Sequence, residues 1–306
     1  MLFRRLFLCA LFAGLLTGLF DSVVQRWQVV PLILAAEVFE DAGNAPAPAP
    51  VAAPVAVQAQ AATTHVHADG TQHVHEAPAL AVAAPASTDA HAEGAAHSHD
   101  KSAWEPENGL ERSAYTALAN VLNAIGSALL LLPLLALWNR HRAGQPLALG
   151  QGYGAIVRYG LLWGAAGWIC LFALPSLGQP PELPGMQAAD LHARQLWWSL
   201  TVACGAGGLA LLCLVKAHWR WLGLALLALP FAIGAPEHAG SAFAGMDAGV
   251  ALQMQQLAAR FVVATALASA LQWLLLGTLS ALAVARWLSP LLNPVASTTP
   301  LERTAS

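Results

Sequence analysis

Charge is what this sequence lacks most. Only 10% of its 306 residues are Asp, Glu, Lys or Arg, against roughly a quarter in soluble globular proteins, so water cannot be the main solvent of the folded chain. The net charge of −3 comes without any basic tract, which excludes the Lys- and Arg-rich face that nucleic-acid binding needs. Lysine is nearly absent. Lys101 follows Asp100 and Lys216 follows Val215, so the chain has no Gly-Lys-Ser or Gly-Lys-Thr phosphate loop and carries no ATP-driven pump of its own. The His-Glu dipeptide His75-Glu76 runs into Ala77-Pro78-Ala79, where a zinc-protease helix would need a second histidine. Cys9, Cys170, Cys204 and Cys213 all fall in apolar surroundings, where buried thiols are expected and a structural disulfide is not. Cys204 and Cys213, nine positions apart, fall on opposite faces of one helix.

What the chain has instead is apolar length. Hydrophobic residues make up 57% of it, gathered into blocks of the length that crosses a hydrocarbon core of about 30 Å as helix. The blocks run from Leu6 to Phe20, continuing through a more polar stretch to Phe39, then Ala114 to Trp138, Tyr153 to Leu177, Leu196 to Val215, Trp219 to Ala235 and Leu257 to Trp287. The reading is an all-α polytopic membrane bundle of six spans, or five if the short Trp219 to Ala235 block, with Pro230 in its second half, does not cross. The first block follows Arg4 and Arg5, as a signal peptide would. Asp21, Gln25, Arg26 and Gln28 stand where a small-residue cleavage site belongs, so an uncleaved anchor is expected.

Cytoplasmic loops are enriched in Lys and Arg, and here every second connection is basic. Arg4 and Arg5, Arg140 and Arg142, Lys216 and Arg220, and Arg286 and Arg303 mark one side. That pattern favours six spans with both termini cytoplasmic in a bacterial inner membrane. Residues 1–40 then form the first span with a polar outer half, 41–103 an outer loop, 104–288 five further spans, and 289–306 a short cytoplasmic tail. Ala10, Gly14 and Gly18, and likewise Gly160 and Gly164, recur every four residues, a spacing that lets membrane helices pack closely.

The outer loop changes composition abruptly to Ala, Pro and Val, opening with Ala45-Pro46-Ala47-Pro48-Ala49-Pro50. Such a stretch cannot offset its ordering entropy by burial and is expected to be disordered. Into it are placed seven of the eleven histidines: His65, His67, His73, His75, His91, His97 and His99. Paired imidazoles on a flexible chain suit divalent transition ions. Their expected role is capture or buffering, because a disordered array binds with modest selectivity.

Ionisable residues inside a span are costly and usually face the bundle interior or a wet cavity. Asp21, Gln25 and Gln28 share one helical face, with Glu37 farther out. Asp21 either opens an ion path outward or belongs to an internal pair, with Arg26 or Arg260 as partner. Asn120 and Asn123 could add oxygen ligands. The third loop carries Glu182, Asp190 and His192, with Asp190 and Arg194 spaced as an i, i+4 pair, and the fifth carries Glu237 and His238. These outer-face groups form a mixed nitrogen and oxygen set of candidate ligands, with Asp21, Asp190, His192, Glu237 and His238 proposed alongside the seven loop histidines.

Four stretches in this order resemble the cobalt transporter subunit CbtA family: the N-terminal MLFRRLFLCALFAGLLTGLFDSVVQRWQVVPLILAAEVFE, WEPENGLER at Trp104 to Arg112, PELPGMQAADLHARQLWW from Pro181, and GAPEH at Gly234 to His238. The resemblance implies a multi-span importer of cobalt, linked to cobalamin-related metal supply and to a small single-span, His-containing partner subunit. The metal is cargo, and no resident cofactor and no catalytic residue are expected. A non-transporting metal sensor or scaffold, or a membrane-embedded metal-dependent enzyme, is the alternative reading.

Overall fold

The computed structural model describes residues 2–44, 64–66, 72–74, 106–107, 109–141, 150 and 152–292. The helices lie in the unit that takes in the chain up to Asn44 and from Pro106 onward, and Ala45–Glu105 forms a second unit. Five helices are long and apolar enough to cross a membrane. They are α1 (Leu2–Gln28), α3 (Leu110–His141), α4 (Tyr153–Gly178), α5 (Leu191–Leu214) and α7 (Ala248–Leu292). Helix α2 (Val30–Asn44) extends α1 beyond a one-residue interruption at Val29. The expected fifth span is α6 (Ala217–Ile233), apolar but shorter. Among the described residues, five of the six expected spans are thus long helices and the expected fifth is short.

The interruption at Val29 has a cause in Pro31. Proline has no N–H for the carbonyl one turn back, and its ring crowds that carbonyl. The first span, expected over residues 1–40 with a polar outer half, is therefore two helices. Helix α4 contains a π-helical turn at Ile169–Ala173 and α7 another at Val284–Leu288.

Helices α1 and α3 run antiparallel, as do α4 and α7, and glycines set how closely they approach. A Cβ on Gly14 would lie 2.5 Å from Ile125 Cα on α3, and one on Gly160 2.6 Å from Thr278 Cα on α7. Larger residues would push these backbones apart, so the two glycine pairs seen in the sequence are the seams of α1 with α3 and of α4 with α7. Helices α5 and α6 form a hairpin, joined by a bond from Trp197 Nε1 to the Pro230 carbonyl at 3.2 Å.

The centre of the bundle is α1, α3 and α7. Cys9, Ala10 and Ala13 pack with Ala128, Leu132, Leu135, Leu276, Ala283 and Val284 in one buried cluster. Toward the other end of α1, Val29 and Ala36 join Leu183, Met254 and Phe261 in a second. Outward-facing positions such as Phe3, Phe12, Leu122, Leu130 and Leu162 are exposed and apolar, as a lipid-facing surface requires.

In the second unit, the segments Thr64–Val66 (β1) and Gln72–Val74 (β2) pair antiparallel, and His65 stands opposite His73 in the backbone register. One histidine of each of these two His-x-His motifs thus falls within the paired register. His67, His75, His91, His97 and His99 lie outside the described residues.

Candidate functional site: a buried carboxylate between α1 and α3

Asp21 is 1% exposed. Measured along the helix from Arg5 it lies about 24 Å in, at 1.5 Å per residue. The sequence offered Arg26 or Arg260 as its partner, and the structure gives neither. Gln25 Nε2 donates to Asp21 Oδ2 at 2.7 Å, while Oδ1 is buried with no hydrogen-bond partner among the described residues. Arg26 and Arg260 are exposed, and Arg260 lines an open groove of about 550 Å³ with Gln28, Leu32 and Val263.

The Gln25 amide is itself held from α3. Asn120 Nδ2 donates to Gln25 Oε1 at 3.2 Å and to Ser22 Oγ at 3.3 Å. A chain of amides and hydroxyls therefore crosses the α1–α3 seam and ends on the carboxylate. Gly18 makes this possible, because a Cβ there would collide with the backbone of Val121 and Asn120. Asn123, the other candidate on α3, is exposed and outside this network.

No fixed positive charge balances Asp21 at its depth. Between Arg5 and Arg26 on α1, between Arg112 and Arg140 on α3, and between Arg260 and Arg286 on α7 there is no Lys, Arg or His. An ionised carboxylate in such a place needs a cation from elsewhere.

In the segments before α5 and after α6 the expected ligands are dispersed. Asp190 caps α5, its Oδ1 accepting from the Ala193 N–H at 2.8 Å. Arg194 pairs with Glu182 at 2.9 Å in place of Asp190. His192, Glu237 and His238 are exposed. Among the described residues no three His, Cys, Asp or Glu side chains come together as a metal site. Sequence reasoning also missed the Glu37–Arg112 ion pair, in which Arg112 Nη1 and Nη2 each meet one carboxylate oxygen.

A costly ionisable residue buried within an apolar helix bundle marks this as the candidate site. The family described as probable cobalt transporter subunit (CbtA) matches residues 3–285. The chain belongs to the CbtA family. No curated protein and no solved structure matches it. Membership makes this a membrane-helical chain of a transporter-subunit family concerned with cobalt. The word subunit implies an assembly with at least one further component. The CbtA match covers all the described helices up to the second π turn, so Asp21, Gln25 and Asn120 lie within it.

Proposed function

We propose that this CbtA chain imports a divalent transition ion, cobalt as the family description suggests, across the bacterial inner membrane, with Asp21 as the membrane-embedded ligand. The observation that carries the reading is the Asp21 carboxylate itself, buried, half satisfied and without a fixed counter-charge. A cation passing inward supplies the charge that the bundle does not.

The remaining assignments follow from sequence and connectivity. Six spans with cytoplasmic termini place the His-rich segment outside. There its seven histidines capture metal, with Asp190, His192, Glu237 and His238 as weaker outer contacts on the way to Asp21. A membrane potential of 100 mV favours inward movement of a divalent cation by about 4–5 kcal/mol, so uptake needs no nucleotide on this chain. The small single-span, His-containing partner is the component that the word subunit leaves open.

Uptake of radioactive cobalt into vesicles tests the reading. Asp21→Asn keeps the shape and the Gln25 contact but removes the charge, and it is expected to abolish uptake at normal protein abundance. Normal uptake per folded protein would end the assignment of Asp21. No uptake by the unaltered chain with its partner present would favour a sensor or scaffold.

A further inference from the structure

We infer that a file of buried polar groups continues inward from Asp21, through Thr17 and Ser280 to Asn139 and Ser289, and forms the exit route of a partly hydrated divalent cation. The inference rests on the reading of Asp21 as the ion's membrane ligand.

The first observation concerns hydroxyls. A Ser or Thr within a helix ordinarily donates to the carbonyl one turn back, and Ser22, Thr116, Thr201, Thr265 and Thr278 all do so here, at 2.7–2.9 Å. Thr17 and Ser280 do not. Each is 0% exposed, and neither Thr17 Oγ1 nor Ser280 Oγ has a hydrogen-bond partner among the described residues. A local bond was available to both, so each hydroxyl is held ready for something else, and leaving a buried hydroxyl unpaired costs roughly 1–3 kcal/mol.

The second observation is their placement. Thr17 lies one turn from Asp21 toward Arg5, and Ala13 one turn farther on the same face. Ala13 shares a buried cluster with Leu276 of α7 and Ala128 of α3. Ser280 is one turn from Leu276 along α7, and Gln272, buried at 7% exposure, is one turn the other way. Beyond Ser280, at the end of α7, Asn139 Nδ2 donates to Ser289 Oγ at 3.5 Å with both residues buried. The unsatisfied Asp21 oxygen, the two free hydroxyls and this pair thus succeed one another along the α1/α3/α7 core. Six of the seven buried polar residues of the described chain belong to these three helices.

Chemistry gives the file its role. Hydroxyl and amide oxygens are weak ligands for a late transition ion compared with imidazole, and no three strong ligands gather here. Conduction requires sites weak enough to release what they bind. The file therefore passes on a cation that Asp21 has admitted, with some of its water retained, and adds little to selectivity.

Thr17→Val and Ser280→Ala remove the hydroxyls at nearly constant shape. In the full transporter each is expected to lower the maximal rate of cobalt uptake about fivefold, the rate equivalent of one lost hydroxyl contact. Thermal stability should hold or rise, since an unpaired polar group has been removed, and Thr17→Ser should restore the rate. Wild-type rates in both Thr17→Val and Ser280→Ala would overturn the route. Asp21→Asn run in parallel separates the two ideas: if it abolishes uptake while the hydroxyl variants transport normally, the site stands and the route falls. If Asp21→Asn transports normally, the reading of the site falls on its own.

Discussion

Glu37 on α2 and Arg112 at the start of α3 form a two-pronged ion pair across 75 residues of sequence. Between them runs the whole of the His-rich segment, so the pair closes the excursion where it leaves and re-enters the helical unit. The guanidinium holds the Glu37 carboxyl below its ordinary range, chiefly through the hydrogen bonds it donates.

The sign of the resulting pH dependence is fixed. A carboxyl whose folded value is depressed contributes stability that is complete above the ordinary value of 4.5 and is lost as pH falls through the lower folded value. Glu37→Gln is expected to cost about 0.5–1 kcal/mol at neutral pH, in keeping with a partly exposed pair. Thermal melts of the two proteins should differ above pH 5 and converge as pH falls below 4.5. A difference that persists unchanged in acid would show that the pair is not its source.

The alternation of basic connections predicts that the C-terminus and the His-rich segment occupy opposite sides of the membrane. Reporter fusions at Ser306 and near Ala86 measure this directly. Both reporting the same side would remove the six-span topology, and with it the crossing of α6.

Seven clustered histidines predict a change in apparent affinity more than in capacity. Replacing His65, His67, His73, His75, His91, His97 and His99 together should raise the half-saturating cobalt concentration several-fold, as expected for loss of a local store of ligands, while uptake at saturating metal stays near normal. Complete loss at saturation would make the segment an obligatory path.

The helices were legible because blocks of apolar residues near the length of a bilayer have few other solutions, and the glycine spacings at Gly14 and Gly18 named a real seam. Asp21 stood out for the same reason, as an acid amid apolar residues. Its partner did not. Arg26 and Arg260 looked eligible by charge, but both point away from the core, and the bond came from Gln25 one turn along. Asp190 and Arg194 have the spacing of a helix pair, yet Asp190 is the cap, so its carboxylate turns to the Ala193 N–H and leaves Arg194 to Glu182. The Glu37–Arg112 pair could not be read at all across a segment without periodicity. Pro31 is the visible sign in the sequence of the interruption at Val29. The free hydroxyls of Thr17 and Ser280 are invisible in sequence, because nothing there separates them from hydroxyls bonded to their own helix.

Helix α6 has 17 residues, about 25 Å of rise, against a hydrocarbon thickness of about 30 Å. If α6 crosses, lipid beside the α5–α6 hairpin must thin by several ångströms or let the ends of α6 draw headgroups inward, at a cost of fractions of a kcal/mol per ångström. A crossing α6 would make the protein asymmetric in its own plane, one flank fitting an ordinary bilayer and the other compressing it. A second component with a comparably short span would then relieve that compression by settling against α6, and membrane thickness by itself would give the assembly a preferred side.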